Sequence, residues 1–207
     1  MYLSVEGLIG AGKSTVLRHL SSMIKTVDEP LHLYRRFERH NPLLQSYKNL
    51  KCDGPIAQLH ILRTACEHYN KALSILHPFT VSDRCSESSL VFIETYRALG
   101  IFSDFTADYL TDFLNTLLVG TVRPDTFVFL DTPPQLCQQR IEDRSRSEET
   151  GGRCTVEFQT ALRVQYLKFF ERANQEGRNV VYLEVTKETP PAYAAFRITT
   201  LSNKTGL

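Results

Sequence analysis

Charge of one sign is not in excess in this 207-residue sequence: 24 Lys and Arg oppose 23 Asp and Glu, a formal net charge of +1. That balance removes the electrostatic footprint expected of a nucleic-acid partner, although a small anionic ligand needs only a local cluster. Cysteines are few, odd in number and never spaced C-x-x-C: Cys52, Cys66, Cys85, Cys137 and Cys154 suggest neither a disulfide framework nor a zinc site. The six histidines also lack zinc-ligand spacing. No apolar run approaches the ~20 residues of a membrane span. With the first strand expected at Tyr2, no signal or transit peptide is expected either, which points to a reducing, cytoplasmic setting. Repeats, low-complexity tracts and linkers are absent, so residues 1–207 are expected to form one domain.

What is present begins at the N-terminus. Gly7-Leu8-Ile9-Gly10-Ala11-Gly12-Lys13-Ser14 fits G-x-x-x-x-G-K-[ST] and follows the apolar run Tyr2 to Val5. Backbone N–H groups of such a loop turn inward around phosphates, Lys13 can reach the β and γ oxygens, and the Ser14 hydroxyl can ligand Mg²⁺. Thr15 to Met23 reads as the helix whose N-terminal dipole faces the anion. Gly7, Leu8, Ile9, Gly10, Ala11, Gly12, Lys13, Ser14 and Thr15 are therefore the expected ATP-binding run.

Short β-rich runs recur between helical stretches: Tyr2 to Glu6, Lys25 to Asp28, Phe79 to Ser82, Thr126 to Leu130 and Asn179 to Val185. The alternation predicts an α/β fold with a five-stranded parallel sheet flanked by helices on both faces. Helical spacing covers Asn41 to Leu50, Ile56 to His77, Ser88 to Leu99, Phe105 to Val119, Pro134 to Asp143 and Val156 to Asn174. Turn signals fall at Asp53-Gly54-Pro55, His77-Pro78 and Glu176-Gly177. The charged, glycine-terminated stretch from Asp143 to Cys154 is expected to be an exposed, mobile lid. No function attaches to the tail after Val185.

Ligands of such sheets collect at the C-terminal strand ends, and the first three carry the phosphate loop, Asp28-Glu29 and Asp83-Arg84. Glu29 precedes Pro30, which biases it toward an extended backbone; it reads either as a base for an acceptor hydroxyl or as an exposed acid at a strand end. Asp83 stands where P-loop enzymes put an acid that holds Mg²⁺, with Arg84 able to hold the acceptor end or an α-phosphate, and a surface ion pair is the alternative. Arg140, Arg144 and Arg146 offer charge to a transferring phosphoryl group, or form a solvated run offset by Glu142, Asp143, Glu148 and Glu149. Phe127, Phe129, Phe169 and Phe170 read as core.

Taken together these residues resemble the deoxynucleoside kinase family, in order from Val5 to about Leu167. E-G-L-I-G-A-G-K-S-T is similar to that family's phosphate loop, and Glu29-Pro30 with Tyr34 resembles E-P-V-x-x-W, with Tyr34 in place of the tryptophan. The resemblance implies that Glu29 is the general base and that Tyr34 lines the nucleoside pocket. Tyr47 and Gln58 keep the separation of a sugar-contacting tyrosine and a base-pairing glutamine. Asp83-Arg84-Cys85 stands where the family has E-R-S or D-R-S, which implies Mg²⁺ coordination through water for Asp83 and a 5′-end contact for Arg84; no role passes to Cys85. Arg140-Ile141 followed by R-S-R-S-E-E resembles the lid R-x-R-x-E-E. By that resemblance Arg140, Arg144 and Arg146 contact ATP or the transferring group, and Glu149 reaches the sugar 3′-hydroxyl.

Ala65 and Ser89 stand where deoxycytidine kinase has a charged pair near the base, which leaves room for a thymine methyl. The expected activity is thus ATP- and Mg²⁺-dependent phosphorylation of the 5′-hydroxyl of deoxynucleosides, pyrimidines such as thymidine and deoxycytidine preferred. ATP and a deoxynucleoside are the expected partners, without nucleic acid or membrane. Family members are commonly dimers through helices corresponding to Ile56 to His77 and Ser88 to Leu99, which leaves a homodimer as an open expectation. Thymidylate kinase is the rival reading, since D-R-C-S-E-S-S-L and P-D-T-F-V-F-L-D-T-P-P resemble its stretches. That family has R-E-P-G-G after the second strand, whereas this chain has Asp28, which would repel a monophosphate. A nucleotide switch is a third reading, but the N-K-x-D motif of guanine-nucleotide sensors is missing.

Overall fold

A computed structural model describes residues 1–30, 50–75, 77–144 and 154–204. By packing, the chain divides into two compact units, the first comprising Met1–Asp28, His77–Arg84 and Pro124–Leu207, the second Glu29–Leu76 and Cys85–Arg123.

The first unit contains a five-stranded parallel sheet of order β2-β3-β1-β4-β5: β1 (Tyr2–Gly7), β2 (Lys25–Val27), β3 (Thr80–Asp83), β4 (Thr126–Asp131) and β5 (Asn179–Glu184). β1 is buried along its whole length and β4 over its first five residues, as expected of central strands covered on both faces. Their register is pinned at Asp125, whose carboxylate accepts from Tyr2 N–H at 2.7 Å and whose own N–H donates to the Tyr2 carbonyl at 2.8 Å. Val5 lies opposite Asp83, the last residue of β3, and Gly7 opposite Leu130, so the C-terminal half of β1 is flanked by the ends of β3 and β4.

Around this sheet run α1 (Lys13–Leu20), α5 (Pro134–Arg144), α6 (Val156–Gln175) and α7 (Pro191–Lys204), the described helices between α1 and α5 belonging to the second unit. Proline opens both α5 and α7, where its fixed φ suits the first helical turn and its missing N–H costs nothing. Thr155 caps α6, its hydroxyl accepting from Phe158 N–H at 3.1 Å. Phe158, Leu162, Tyr166 and Phe170 repeat every four residues along α6 and are buried. Phe170 and Tyr166 meet Phe129, while Phe169, half-buried, meets Phe127 edge-on. The expected aromatic core is therefore present.

The second unit contains α2 (Leu50–Leu73), a 3-10 turn (Ser86–Ser88), α3 (Ser89–Ala98) and α4 (Asp104–Leu118). Leu62 and Cys66 of α2 join Ile93 of α3, Phe102, and Ala107, Leu110, Leu114 and Leu118 of α4 in one apolar cluster. Ser103 caps α4 by accepting from Thr106 N–H at 3.2 Å.

Several boundaries differ from expectation. Asp53-Gly54-Pro55, read as a turn, lies inside α2. An interior proline costs roughly 3 kcal/mol; here the downstream stripe Gln58, Leu62, Ala65, Cys66, Tyr69 and Leu73 is buried at helical spacing and outweighs it. α2 ends at Leu73 rather than at His77, which is exposed. α1 starts two residues earlier than expected, placing Lys13 and Ser14 on the helix. Asp83 is the last residue of β3 rather than the first beyond it. The expected helix from Asn41 lies, apart from its last residue, outside the described residues. α7, which no sequence signal announced, packs on α1.

A candidate phosphate-transfer site at the strand ends

The first unit brings together most of the phosphate-binding residues read from the sequence. β1 ends at Gly7, the loop turns through Gly12, and α1 begins at Lys13. Gly10 adopts φ +89°, and a Cβ there would lie 2.6 Å from the carbonyl oxygen of Cys137 in α5, so only glycine fits both backbone and neighbour.

The loop's carbonyls are held by other groups. Lys13 Nζ donates to the Leu8 carbonyl at 3.1 Å and the Gly7 carbonyl at 3.4 Å. Gln159 Nε2 of α6 donates to the Ile9 carbonyl at 2.8 Å. The Ala11 carbonyl accepts from Arg140 Nη1 at 3.2 Å and from Thr132 Oγ1 at 3.3 Å. With its acceptors tied down in this way, the loop can offer N–H groups to an anion.

Ser14 Oγ donates to Asp83 Oδ2 at 2.7 Å, so the two expected metal residues, 69 positions apart, meet. A hydroxyl beside a carboxylate is the hard oxygen donor set that suits Mg²⁺. Asp83 is only 2% exposed, which deepens the field of its charge at this point.

Arg84 follows with φ 64°, a left-handed conformation that costs a non-glycine residue about 1–3 kcal/mol. Its backbone is pinned at both groups: its N–H donates to the Val5 carbonyl at 3.0 Å, and Ser82 Oγ donates to its carbonyl at 2.5 Å. Its guanidinium is buried and donates to the Tyr166 hydroxyl. Tyr166 in turn donates to Glu6 Oε2 at 3.1 Å, and Ser4 donates to Glu6 Oε1 at 2.6 Å. Glu6 is fully buried at the end of β1.

Between Gln159 and Tyr166, Arg163 makes a two-pronged pair with Asp131, both contacts at 2.8 Å, which raises the arginine's pKa. Gln159, Arg163 and Tyr166 thus form a polar stripe on α6 that ties the phosphate loop, the end of β4 and the residue after β3 to one helix. The sequence assigns this stripe no role, and its only signal is the four- and three-residue spacing of Gln159, Arg163 and Tyr166 beside the buried apolar residues of the helix.

Beside the loop lies a cavity of about 360 Å³, lined among others by Gly12, Thr15, Arg140, Arg144, Val185 and Thr189. Val185 and Thr189 belong to the tail that had been given no function. Their place just beyond β5 is where ligands of parallel sheets collect. Cys137, behind the loop, is fully buried; burial pushes its thiol up to about 11, with Lys13 acting weakly the other way.

The lid expected over 143–154 is corrected at both ends. Asp143 and Arg144 form the last turn of α5, and Cys154 is buried beside the start of α6. Helix propagation through the polar Gln138 to Glu142 turn, with Gln138 bonded to Glu142 at 2.9 Å, carries α5 that far. Arg146 and Glu149 lie outside the described residues, as do Tyr34 and Tyr47.

Glu29 and Gln58 belong to the second unit. Glu29 is half-buried and Gln58 is 5% exposed on α2; Ala65 on α2 and Ser89 on α3 are buried as well. Burial also raises the pKa of the Cys66 thiol, against a hydrogen bond with Ser86. Among the described residues no group of three or more His, Cys, Asp or Glu forms a metal cluster, and no helix is long and apolar enough to cross a membrane.

Comparison with known proteins agrees with the geometry. A family profile described as deoxynucleoside kinase matches residues 3–193. Human mitochondrial thymidine kinase 2 is 28% identical over 71% of this chain and 56% of its own, so the chain spans just over half the length of that relative. A probable deoxycytidine kinase of fowlpox virus is 26% identical over 88% of this chain and 77% of its own. Thymidylate kinases also match, at 24% to 28% identity. The fold is that of a deoxyadenosine kinase from M. mycoides, solved with the products dCMP and a flexible dCDP bound: TM-score 0.78 at 22% identity, covering 99% of this chain and 100% of that one.

Proposed function

This chain belongs to the deoxynucleoside kinase family, and from that membership we propose that it transfers the γ-phosphoryl group of ATP to the 5′-hydroxyl of a deoxynucleoside. Pyrimidines, thymidine included, are the preferred acceptors in this reading, and residues 1–207 act as one catalytic domain, in the cytoplasm and as a homodimer. The observation that carries it is the Ser14 to Asp83 contact at 2.7 Å beside Lys13 and the braced phosphate loop.

Lys13 and the loop N–H groups bind and orient the β- and γ-phosphates. Ser14 and Asp83 would hold Mg²⁺, whose charge offsets that of the phosphates when it is bound. Glu29 accepts the proton of the attacking 5′-hydroxyl, and Arg84 steadies the acceptor end. Arg140, Arg144 and Arg146 draw charge from the equatorial oxygens as the bond to the leaving ADP breaks; an arginine in this position contributes roughly 10³-fold or more. Tyr34, Tyr47, Gln58 and Glu149 contact the nucleoside, with Tyr47 and Glu149 crowding the 2′ position. The cavity beside Arg144 and Val185 takes the donor's base.

Exposed Asp28 supports a neutral acceptor over a monophosphate, because a carboxylate beside the acceptor would repel a second anion. Transfer from ATP to thymidine, deoxycytidine, purine deoxynucleosides and thymidine monophosphate, measured side by side, tests the reading. Turnover of pyrimidine deoxynucleosides that falls strongly in Glu29→Gln is expected. Turnover of the monophosphate alone would favour thymidylate kinase, and no turnover at all a nucleotide switch.

A further inference from the structure

The first unit buries a cation, a phenol and a carboxylate in one chain of hydrogen bonds, of which the proposed chemistry uses only Arg84 at its end. Arg84 donates to the Tyr166 hydroxyl, Tyr166 donates to Glu6, and Ser4 completes the carboxylate's other oxygen. Arg84 is 5% exposed, while Tyr166 and Glu6 are fully buried. Burying unlike charges is costly unless geometry and hydrogen bonds are satisfied. Here a neutral hydroxyl, both donor and acceptor, passes the compensation from the carboxylate to the guanidinium.

We propose that Tyr166 is a positioning residue that aims the Arg84 guanidinium at the transfer site, with Glu6 as its anchor. Three observations carry this. The Arg84 backbone is locked in the left-handed region by contacts with Val5 and Ser82, so the remaining freedom is in its side chain. That side chain is met by Tyr166, whose own ring is fixed by stacking on Phe170 at 5.6 Å and 23° and by contact with Phe129 at 5.4 Å. Finally, the neighbouring residue is Asp83, bonded to Ser14, so any swing of Arg84 occurs one residue from the metal-holding pair. A five-donor fork is useful in phosphoryl transfer only when its direction is set beforehand.

The inference rests on the kinase reading for its consequence in catalysis, but the positioning itself has a separate readout. The full chain is compared as wild type, Tyr166→Phe, Arg84→Ala and the double variant, with rates normalised to folded protein. Phenylalanine keeps the ring contacts and removes only the hydroxyl. Tyr166→Phe is expected to lower kcat by up to about 100-fold while the KM for ATP stays within about twofold. In the Arg84→Ala background the same change should lower kcat less than about twofold, because its effect travels through Arg84. In parallel, NMR of the Arg84 guanidinium should show restricted rotation and slow N–H exchange in the wild type and faster exchange in Tyr166→Phe. A wild-type kcat in Tyr166→Phe, multiplying effects in the double variant, or unchanged Arg84 exchange would overturn the proposal. A wild type that phosphorylates no nucleoside defeats the kinase reading instead, and the Arg84 exchange still decides whether Tyr166 positions it.

Discussion

Replacing Gly10 by alanine tests whether the phosphate loop is held in shape by α5. At φ +89° an alanine carries a left-handed penalty of roughly 1–2 kcal/mol. Its Cβ would also stand 2.6 Å from the Cys137 carbonyl oxygen, with the Cys137 carbonyl carbon and Cα at 3.2 and 3.3 Å. All three are main-chain atoms of a helix, so a rotamer change cannot relieve the contact. Either the loop or the start of α5 must retreat by on the order of 1 Å, and displacement of that size at a reacting centre costs up to about 100-fold. Gly100 is the control: φ is +65° and nothing lies within 4 Å, so Gly100→Ala isolates the backbone penalty. We expect Gly100→Ala to lose about 1 kcal/mol in urea denaturation with ATP affinity unchanged. Gly10→Ala should lose about 2–4 kcal/mol, the strain together with a clash of the kind that overpacking imposes, and weaken ATP binding in titration calorimetry by tenfold or more. If both variants lost the same stability and Gly10→Ala bound ATP like the wild type, the close approach to Cys137 would not constrain the loop.

Two further outcomes follow from the groups behind that loop. Burial keeps the Cys137 thiol protonated up to about 11 against its ordinary 9.0, so between those values only the unfolded chain releases the proton. The stabilisation is complete below pH 9 and should decline by about 2–3 kcal/mol by pH 11. Cys137→Ala should lack that decline in denaturation curves taken from pH 8 to 11, and parallel curves would contradict the assignment. Gln159→Leu removes the donor to the Ile9 carbonyl together with a buried Oε1 that has no hydrogen-bond partner among the described residues. Its stability should stay within about 1 kcal/mol of the wild type while the KM for ATP rises roughly fivefold, and an unchanged KM would show that the loop needs no brace from α6.

The legible parts of this protein are those carried by contiguous residues. Gly7 to Ser14 is read directly because a backbone cradle for phosphate requires glycines, lysine and a hydroxyl at set spacing. The five strands are read because β-rich runs alternate with helical ones. What misled was local punctuation: Asp53-Gly54-Pro55 looks like a turn, yet the apolar stripe from Leu62 to Leu73 draws the segment into α2. α7 went unread because its buried side chains, Ala194, Ala195 and Ile198, make too faint a stripe until α1 is there to receive it.

The sequence by itself determined the phosphate loop and the presence of acids and arginines at the strand ends, each a pattern within a dozen neighbouring residues, and the parallel sheet, through the alternation of β-rich and helical runs along the chain. Only the tertiary structure decided which of those residues meet. Ser14 and Asp83 are 69 positions apart, Arg84 and Tyr166 are 82 apart, and Ile9 and Gln159 are 150 apart. No periodicity encodes such pairs. They arise because parallel strands deliver their C-terminal ends to one edge, and α6 then lays its polar stripe across that edge.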